Sequence, residues 1–597
     1  MKKSLLFSAV LAGLMLGSCS SSDDLAGGNT SANQDGSGYI SLSLNLPTRS
    51  GSMSRAENDN FNDGLANEYE VKNGTLILFE GTDEASATFA GAYKLNNLSM
   101  NLVGTTTDNI TTTTKITKMI SSGLADDTKK FYAIVVLNDN GTITVNDTDP
   151  ADFKVNSTAF STTSKISDLQ NLELTKDASA LKNTGFLMMN APLSSVGGGV
   201  AAPTGATISV ASEIDKNHIY ATEALAKANV SASVYVERAL AKVDVTSTAA
   251  TGNLTDDATV SYTVKGWVLD NTNKKTFYLR NTSNASEWLG LATKTETGKT
   301  APSKPYRFVG DNSMEGGVSL YRTYWAKDPN YDAKPADLTA DFSTIGNDVP
   351  TTLKNLDDYD YCFENTFTVG QQNQDVTTRV IVAAQLGTGT TFYVVNDNEK
   401  SLLDEDKMKK AVKDAFLTNT EVQTWIKNGL KSGESIGNDD LDVNVASTAG
   451  NHKPTVSIKA TSASKYTSGT APLVDAKIQA IMDGIKVATY ASGVSYYPVR
   501  IKHFGDDLTP WKDTETPLPS VSGSVYPSDH QAGNYLGRYG VLRNNWYTIN
   551  VEGIKKIGSP VVPEVTGDPD DELAAYISVK INVLSWAKRT QKAILGQ

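Results

Sequence analysis

The chain has 597 residues, 39% of them hydrophobic and 20% charged, with a formal net charge of −13. That length holds one to four domains, each able to bury its own core. The negative balance argues against nucleic acid, whose affinity comes from phosphate neutralisation, and two cysteines cannot supply a disulfide framework.

Lys2 and Lys3 precede a short apolar run, Leu5 to Leu14, and then Leu16-Gly17-Ser18-Cys19. A run this short cannot span a bilayer, so residues 1–19 read as a secretory signal. The cysteine at the cleavage point resembles a bacterial lipobox. That resemblance implies a diacylglyceryl thioether on Cys19 and an acylated, palmitate-type new N-terminus. Two or more chains anchor stably, at ~0.8 kcal/mol for each buried CH₂. With Cys19 lipidated, Cys362 has no disulfide partner. It lies in Tyr361-Cys362-Phe363 and reads as a buried, inert thiol in a strand.

Residues 20–38 are polar and glycine-rich, a flexible tether. Asp23 and Asp24 resemble the acidic signal for outer-surface lipoproteins; a plain solvated tether is the alternative. Tyr39 to Leu46 then alternates. Ile40, Leu42, Leu44 and Leu46 share one face, the period-2 mark of a half-buried strand. Pro47 ends it, and Arg49 and Arg55 follow in a polar loop.

Val71–Phe79, Lys130–Asn138 and Gly185–Asn190 read as further strands, with Asp139-Asn140-Gly141 as a turn. The run Val234–Val245 reads as the last strand or two of a first domain, with a boundary in Ser247–Asp257. Ser261–Leu269 and Thr377–Leu386 are strands of the second half. Leu402–Leu430 and Leu473–Tyr490 carry apolar residues near helical spacing and predict helices covering a sheet. After the acidic linker Gly567–Glu572, Ile577, Val579, Ile581 and Val583 again share one strand face. A terminal strand on such a linker can be placed outside its own sheet.

Catalytic and metal-binding patterns fail on context. Gly433-Glu434-Ser435-Ile436-Gly437 fits G-x-S-x-G but follows a helical pattern, whereas a nucleophile elbow needs a strand before it and a helix after it. Gly298-Lys299-Thr300 lacks the first glycine of a phosphate loop, because position 293 is threonine. His218, His452, His503 and His530 are scattered and show no zinc spacing. Asp439–Asp442 and Asp568–Asp571 lack the glycine-containing calcium loop and read as solvated turns. The expectation is no catalytic residue, no cofactor and no metal.

Several fragments in order resemble the fimbrillins of Bacteroidales type V pili, closest to the shaft subunits of the minor fimbrium. They are the lipobox at Cys19; Arg55-Ala56 before Asn58–Gly64 and Glu68-Tyr69; Val236–Ala239 with Ala241–Val243; Tyr496–Pro498 with Ile501–Phe504; Gly537–Tyr547; and Val579–Trp586. The resemblance covers essentially the whole chain. It implies a mostly β fold of two transthyretin-like β-sandwich domains, with a few covering helices in the second. It implies export as an outer-membrane lipoprotein, then removal of the N-terminal piece by an arginine-specific protease. The emptied groove is refilled by a C-terminal strand of another subunit. The implied cut lies between Arg55 and Ala56; the alternative lies between Arg49 and Ser50. The divisions are a signal peptide (1–19), a propeptide (20–55), an N-terminal sandwich (56–246), a C-terminal sandwich (256–566) and a linker with the donor strand (567–597).

Elementary energetics suit that scheme. Removing a strand exposes unpaired backbone groups and apolar pockets. An eight-residue strand spans ~26 Å, and reburying about four aliphatic side chains returns on the order of 6–12 kcal/mol, less the entropy of association. The expected protein is therefore a non-enzymatic shaft subunit of a surface fimbrium, supporting adhesion and biofilm formation. Its expected partners are further copies of itself, accessory anchor and tip subunits, the protease, and host or bacterial surface ligands. The alternatives are a fimbrial tip adhesin and a surface glycan-binding β-sandwich lipoprotein, the latter marked by exposed tryptophans among Trp267, Trp288, Trp325 and Trp511.

Overall fold

A computed structural model describes residues 37–46, 65–68, 70–96, 98, 101–103, 111–121, 128–194, 208–214, 216–285, 308–309, 321–323, 325–331, 338–345, 352–503, 536–537, 539–567, 577–585 and 587–590. The described residues are mostly β.

The first sheet contains β1 (Ser37–Leu46), β2 (Gly74–Gly81), β3 (Thr88–Lys94), β4 (Asn101–Val103), β5 (Thr111–Ser121), β6 (Lys130–Leu137), β7 (Met188–Asn190) and β8 (Ala232–Arg238). Their order across the sheet is β3-β2-β6-β7-β8-β1-β5-β4, and Ser212–Ile214 also pairs with β6. β6 reads Lys-Phe-Tyr-Ala-Ile-Val-Val-Leu and is buried from Phe131 to Leu137, as befits a central strand covered on both faces. A short helix, α1 (Glu223–Ala228), packs on β1 and β5. Thr222 caps it, its Oγ1 accepting from the Leu225 N–H at 3.3 Å.

The second half is a sandwich. One layer runs β12-β9-β20-β21-β22, where β9 is Leu240–Ser247, β12 is Tyr359–Phe363, β20 is Asn545–Ile554, β21 is Ile577–Ser585 and β22 is Ala587–Thr590. The other runs β10-β11-β13-β19, where β10 is Thr251–Asn253, β11 is Ser261–Asp270, β13 is Arg379–Leu386 and β19 is Val494–Arg500. Val243, Val245, Tyr547 and Ile549 of the first layer meet Val380, Val382 and Tyr497 of the second in one core. Gly266 sits at a bulge in β11 with φ +146°; a Cβ there would lie 2.3 Å from the Lys354 carbonyl oxygen.

The chain between β13 and β19 forms a unit with its own core. β14 (Phe392–Val395), β16 (Gly450–His452) and β18 (Val487–Tyr490) form one small sheet, and β15 (Leu441–Asn444) pairs with β17 (Thr455–Ile458). Helices α2 (Glu405–Thr418), α3 (Thr420–Lys427) and α4 (Ala476–Asp483) bury Met408, Val412, Phe416, Val422, Trp425, Ile478 and Met482 against them. The helices read from spacing are thus present, but Val487–Tyr490 is a strand, set off by Gly484 at the end of α4.

The run Val234–Val245 differs from its reading as the end of one domain. β8 belongs to the first sheet and β9 to the sandwich, so the chain changes sheet at Ala239, upstream of Ser247–Asp257. The charged pair Glu237-Arg238 beside the crossing is buried like the apolar residues around it, so the strand pattern runs through without marking the change of sheet.

Candidate functional site

β1 is an interior strand. On one side Leu42 to Asn45 pair in parallel with Ala232 to Tyr235 of β8. On the other, Ser37 to Leu46 pair antiparallel with Ser121 to Thr112 of β5. The strand's N-terminal half is tied to the chain ahead of β8: the Tyr39 N–H donates to the Tyr220 carbonyl at 2.7 Å, and the Tyr39 carbonyl accepts from the Tyr220 N–H at 2.9 Å. Ile40, Leu42 and Leu44 are buried in the first core. The Leu46 side chain lies outside the described residues, as do Cys19, Arg49, Ser50, Arg55 and Ala56.

The opposite face of β1 is not solvated, as simple alternation would have it. Ser41 is fully buried. Its N–H donates to Ser231 Oγ at 3.0 Å and its carbonyl accepts from Ser231 N–H at 2.6 Å. Ser231 Oγ in turn donates to the His218 carbonyl at 2.6 Å. Ser43 is only half-buried.

The C-terminal strand β21 lies in its own chain's sheet. Asn545 to Val551 of β20 face Ser585 to Val579 in antiparallel register, with a bulge at Glu552, and β22 folds back on β21. The expectation that this strand is placed outside its own sheet is not the arrangement of the single chain, where the strand satisfies its backbone groups along β20.

A second feature escaped the sequence reading. Charged side chains are sealed where the chain crosses between sheets. Lys242 Nζ lies 2.7 Å from Glu68 Oε1, and the Tyr361 hydroxyl donates to the same oxygen at 2.5 Å. Arg238 Nε donates to the Glu68 carbonyl at 2.6 Å. Arg280 pairs with Glu237 at 3.0 Å, and Arg543 Nε donates to Glu364 Oε1 at 2.8 Å. The Lys242 ammonium sits over the Trp546 and Tyr359 rings, 3.8 and 4.4 Å from their centroids. Burial pushes the Glu68 carboxyl up, but Lys242, Tyr361 and Arg238 outweigh it and hold the group below its ordinary value. Glu68, Glu237, Arg238, Lys242, Arg543 and Trp546, each from a fragment that carries the family resemblance, contribute to this joint. Buried charge at these positions was the signal; single-sequence pattern reading reports charge as solvated.

Elsewhere the geometry offers little chemistry. Cys362 is buried on β12, and burial pushes its thiol well up, away from a nucleophilic thiolate. Ser435 precedes a single helical turn and the strand β15, not the helix that an elbow requires. Among the described residues no group of three or more His, Cys, Asp or Glu side chains is placed to hold a metal ion. His503 is buried with Nδ1 2.7 Å from the Tyr547 hydroxyl. Trp267 and Trp325 are fully buried, so neither is a sugar-stacking platform; Trp288 and Trp511 lie outside the described residues. Among the described residues no helix is long and apolar enough to cross a membrane.

Residues 488–592 match the family described as major fimbrial subunit protein type IV, fimbrillin, C-terminal. The match takes in β19, β20 and β21 and bears out the fimbrillin resemblance. No curated protein matches the chain. Among solved structures, a Porphyromonas gingivalis fimbrilin is similar at 12% identity and TM-score 0.28, over 93% of this chain and 99% of that one. The C-terminally truncated tip fimbrial protein of Porphyromonas gingivalis is similar at 9% and 0.28, over 91% and 99%. A Parabacteroides distasonis protein assigned a cell-adhesion role is similar at 11% and 0.34, over 92% and 98%. At these values nothing further rests on the structural likenesses.

Proposed function

We propose that this chain, with its fimbrillin C-terminal region, is a polymerising structural subunit of a surface fimbrium, in the shaft rather than at the tip. It is exported as a lipoprotein on Cys19 and cut after Arg55, with Arg49 as the alternative. The cut releases β1, and the emptied slot receives the C-terminal strand of another copy, which leaves its own β20 to do so. The observation that carries this reading is the position of β1: interior, paired on both sides, and contributing Ile40, Leu42 and Leu44 to the core while lying just upstream of two arginines. An edge strand would leave a single open edge when removed. An interior strand leaves two facing edges and an apolar floor, which only another strand satisfies.

The reading is tested at its first step. Arg55→Ala should block trimming by an arginine-specific protease and, with it, assembly, and wild-type assembled material should begin at Ala56. A mature N-terminus at Ser50 would move the cut to Arg49, and assembly of untrimmed protein would overturn the scheme.

A further inference from the structure

The slot around β1 does not accept an arbitrary alternating strand. Its buried positions include a polar one. Ile40, Leu42 and Leu44 point into the core, but Ser41 on the other face is equally sealed, beside Ser231. Ser43, two residues on, is half-buried. An occupant therefore needs aliphatic residues at three alternating positions, a small residue at the second, and at the fourth a residue whose end can reach water.

The chain contains a second copy of that pattern. Residues 39–46 read Tyr-Ile-Ser-Leu-Ser-Leu-Asn-Leu, and residues 576–583 read Tyr-Ile-Ser-Val-Lys-Ile-Asn-Val. The two share Tyr, Ser and Asn at three of the four polar positions, Ser43 being matched by Lys580, as well as the apolar pattern. Plain alternation requires the apolar agreement and does not explain the polar one.

We propose that the slot takes residues 577–583 of a second copy of this chain in one register only, Ile577 at the place of Ile40 and Ser578 at the place of Ser41, running parallel to β8 and antiparallel to β5. This rests on the reading of the protein as a strand-exchanging subunit and specifies the partner segment and its register. In this register Val579 and Ile581 take the places of Leu42 and Leu44, Lys580 falls at the half-buried Ser43 position, and Asn582 stands where Asn45 stood. A slip of two residues keeps the aliphatic face inward but puts Lys580 or Tyr576 at the sealed Ser41 position. An unpaired lysine ammonium is costly to bury, and a tyrosine ring overfills a place shaped for serine. A slip of one residue turns the polar face into the core. Ser41 and Ser578 thus determine register, and the two aliphatic faces determine affinity.

Cysteine pairs in the full-length chain read the register directly. Leu42 stands opposite Ala232 in β8, so the proposed register puts Val579 of the incoming copy there. Ala232→Cys is combined with Val579→Cys, and in parallel with Ile577→Cys or Ile581→Cys. Each variant is trimmed with an arginine-specific protease, mildly oxidised and run without reductant. The expected result is a ladder of linked chains from the 232/579 pair at least tenfold stronger than from the other two. A ladder from 232/577 or 232/581 instead would overturn the register while leaving strand exchange standing. No ladder from any pair, with trimmed wild-type protein still forming filaments, would overturn the slot as the exchange site. Trimmed wild-type protein that stays monomeric would overturn the functional reading itself. As a second measurement, Ser578→Leu leaves β1 and its slot untouched in the precursor. It is expected to cut filament yield at least tenfold after trimming, and an unchanged yield would contradict a role for the polar position.

Discussion

Arg238 and Asn544, 306 residues apart in the chain, are hydrogen-bonded inside the protein: Asn544 Oδ1 accepts from both the backbone N–H and Nη1 of Arg238 at 3.3 Å. Asn544 holds a left-handed φ of 59° and its N–H donates to the Leu240 carbonyl at 2.7 Å. The contact pins the start of β20 to the crossing between β8 and β9. β8 borders β1, and β20 borders β21, so the slot and the C-terminal strand sit on neighbours of one continuous stretch, residues 232–247.

The buried charges at this crossing are expected to be costly to break singly. Glu68→Ala leaves the Lys242 ammonium sealed without its carboxylate and should destabilise the precursor by about 3–5 kcal/mol. Glu68→Gln combined with Lys242→Met removes both charges and should recover much of that loss. Denaturant unfolding of the single and double variants measures both effects.

Glu68 also predicts acid sensitivity. Its folded pKa is depressed, so its contribution is fully present above the unfolded value of ~4.3 and is lost as pH falls through the folded value. The stability gap between wild type and Glu68→Gln should therefore be constant near neutrality and close progressively below about pH 4. Unfolding free energies taken at intervals from pH 7 to pH 2.5 check this.

Asp328 predicts the opposite slope in a different window. Burial pushes its carboxyl up to about 7, against hydrogen bonds from the Thr366 and Asn330 N–H groups and Asn273 Nδ2, and Glu364 adds repulsion. The folded state then holds a proton that the unfolded state has released, from ~4 up to the folded value. Stability contributed by that proton declines as pH rises from ~4 to ~7, by on the order of 4 kcal/mol, and is flat above. Unfolding of wild type and Asp328→Ala at pH 4.5, 6 and 8 should show the decline in the first and not in the second.

The slot predicts a separation between precursor and product. Leu42→Ala should destabilise the untrimmed chain by about 2–5 kcal/mol, as truncation of a buried leucine does. After trimming, the altered residue has left with the propeptide, so filaments from the variant should match wild type in thermal stability. A difference that persists in filaments would mean that residue 42 stays with the mature subunit.

The strands most legible in the sequence were those with one buried face or none exposed. β1 and the helices α2 to α4 follow from periodicity, because burial on a fixed face imposes it, and β6 and β13, buried on both faces, follow from their continuous apolar runs. The burial of Ser41 did not follow, since its partner Ser231 lies 190 residues downstream. The crossing at Ala239 was invisible because Glu237 and Arg238 beside it are buried like their apolar neighbours, and the change of sheet is decided by partners at residues 188–190 and 545–554. The ionic joint was unreadable for the same reason. Glu68, Lys242 and Tyr361 are brought together by tertiary packing, and no local pattern distinguishes a sealed lysine from a solvated one.

Electron microscopy of purified full-length protein, before and after treatment with an arginine-specific protease, tests the central claim most directly. Filaments after trimming and monomers before it are the predicted result, with filaments absent when residues 575–597 are deleted. Trimmed protein that remains monomeric, or filaments that form without those residues, would contradict it.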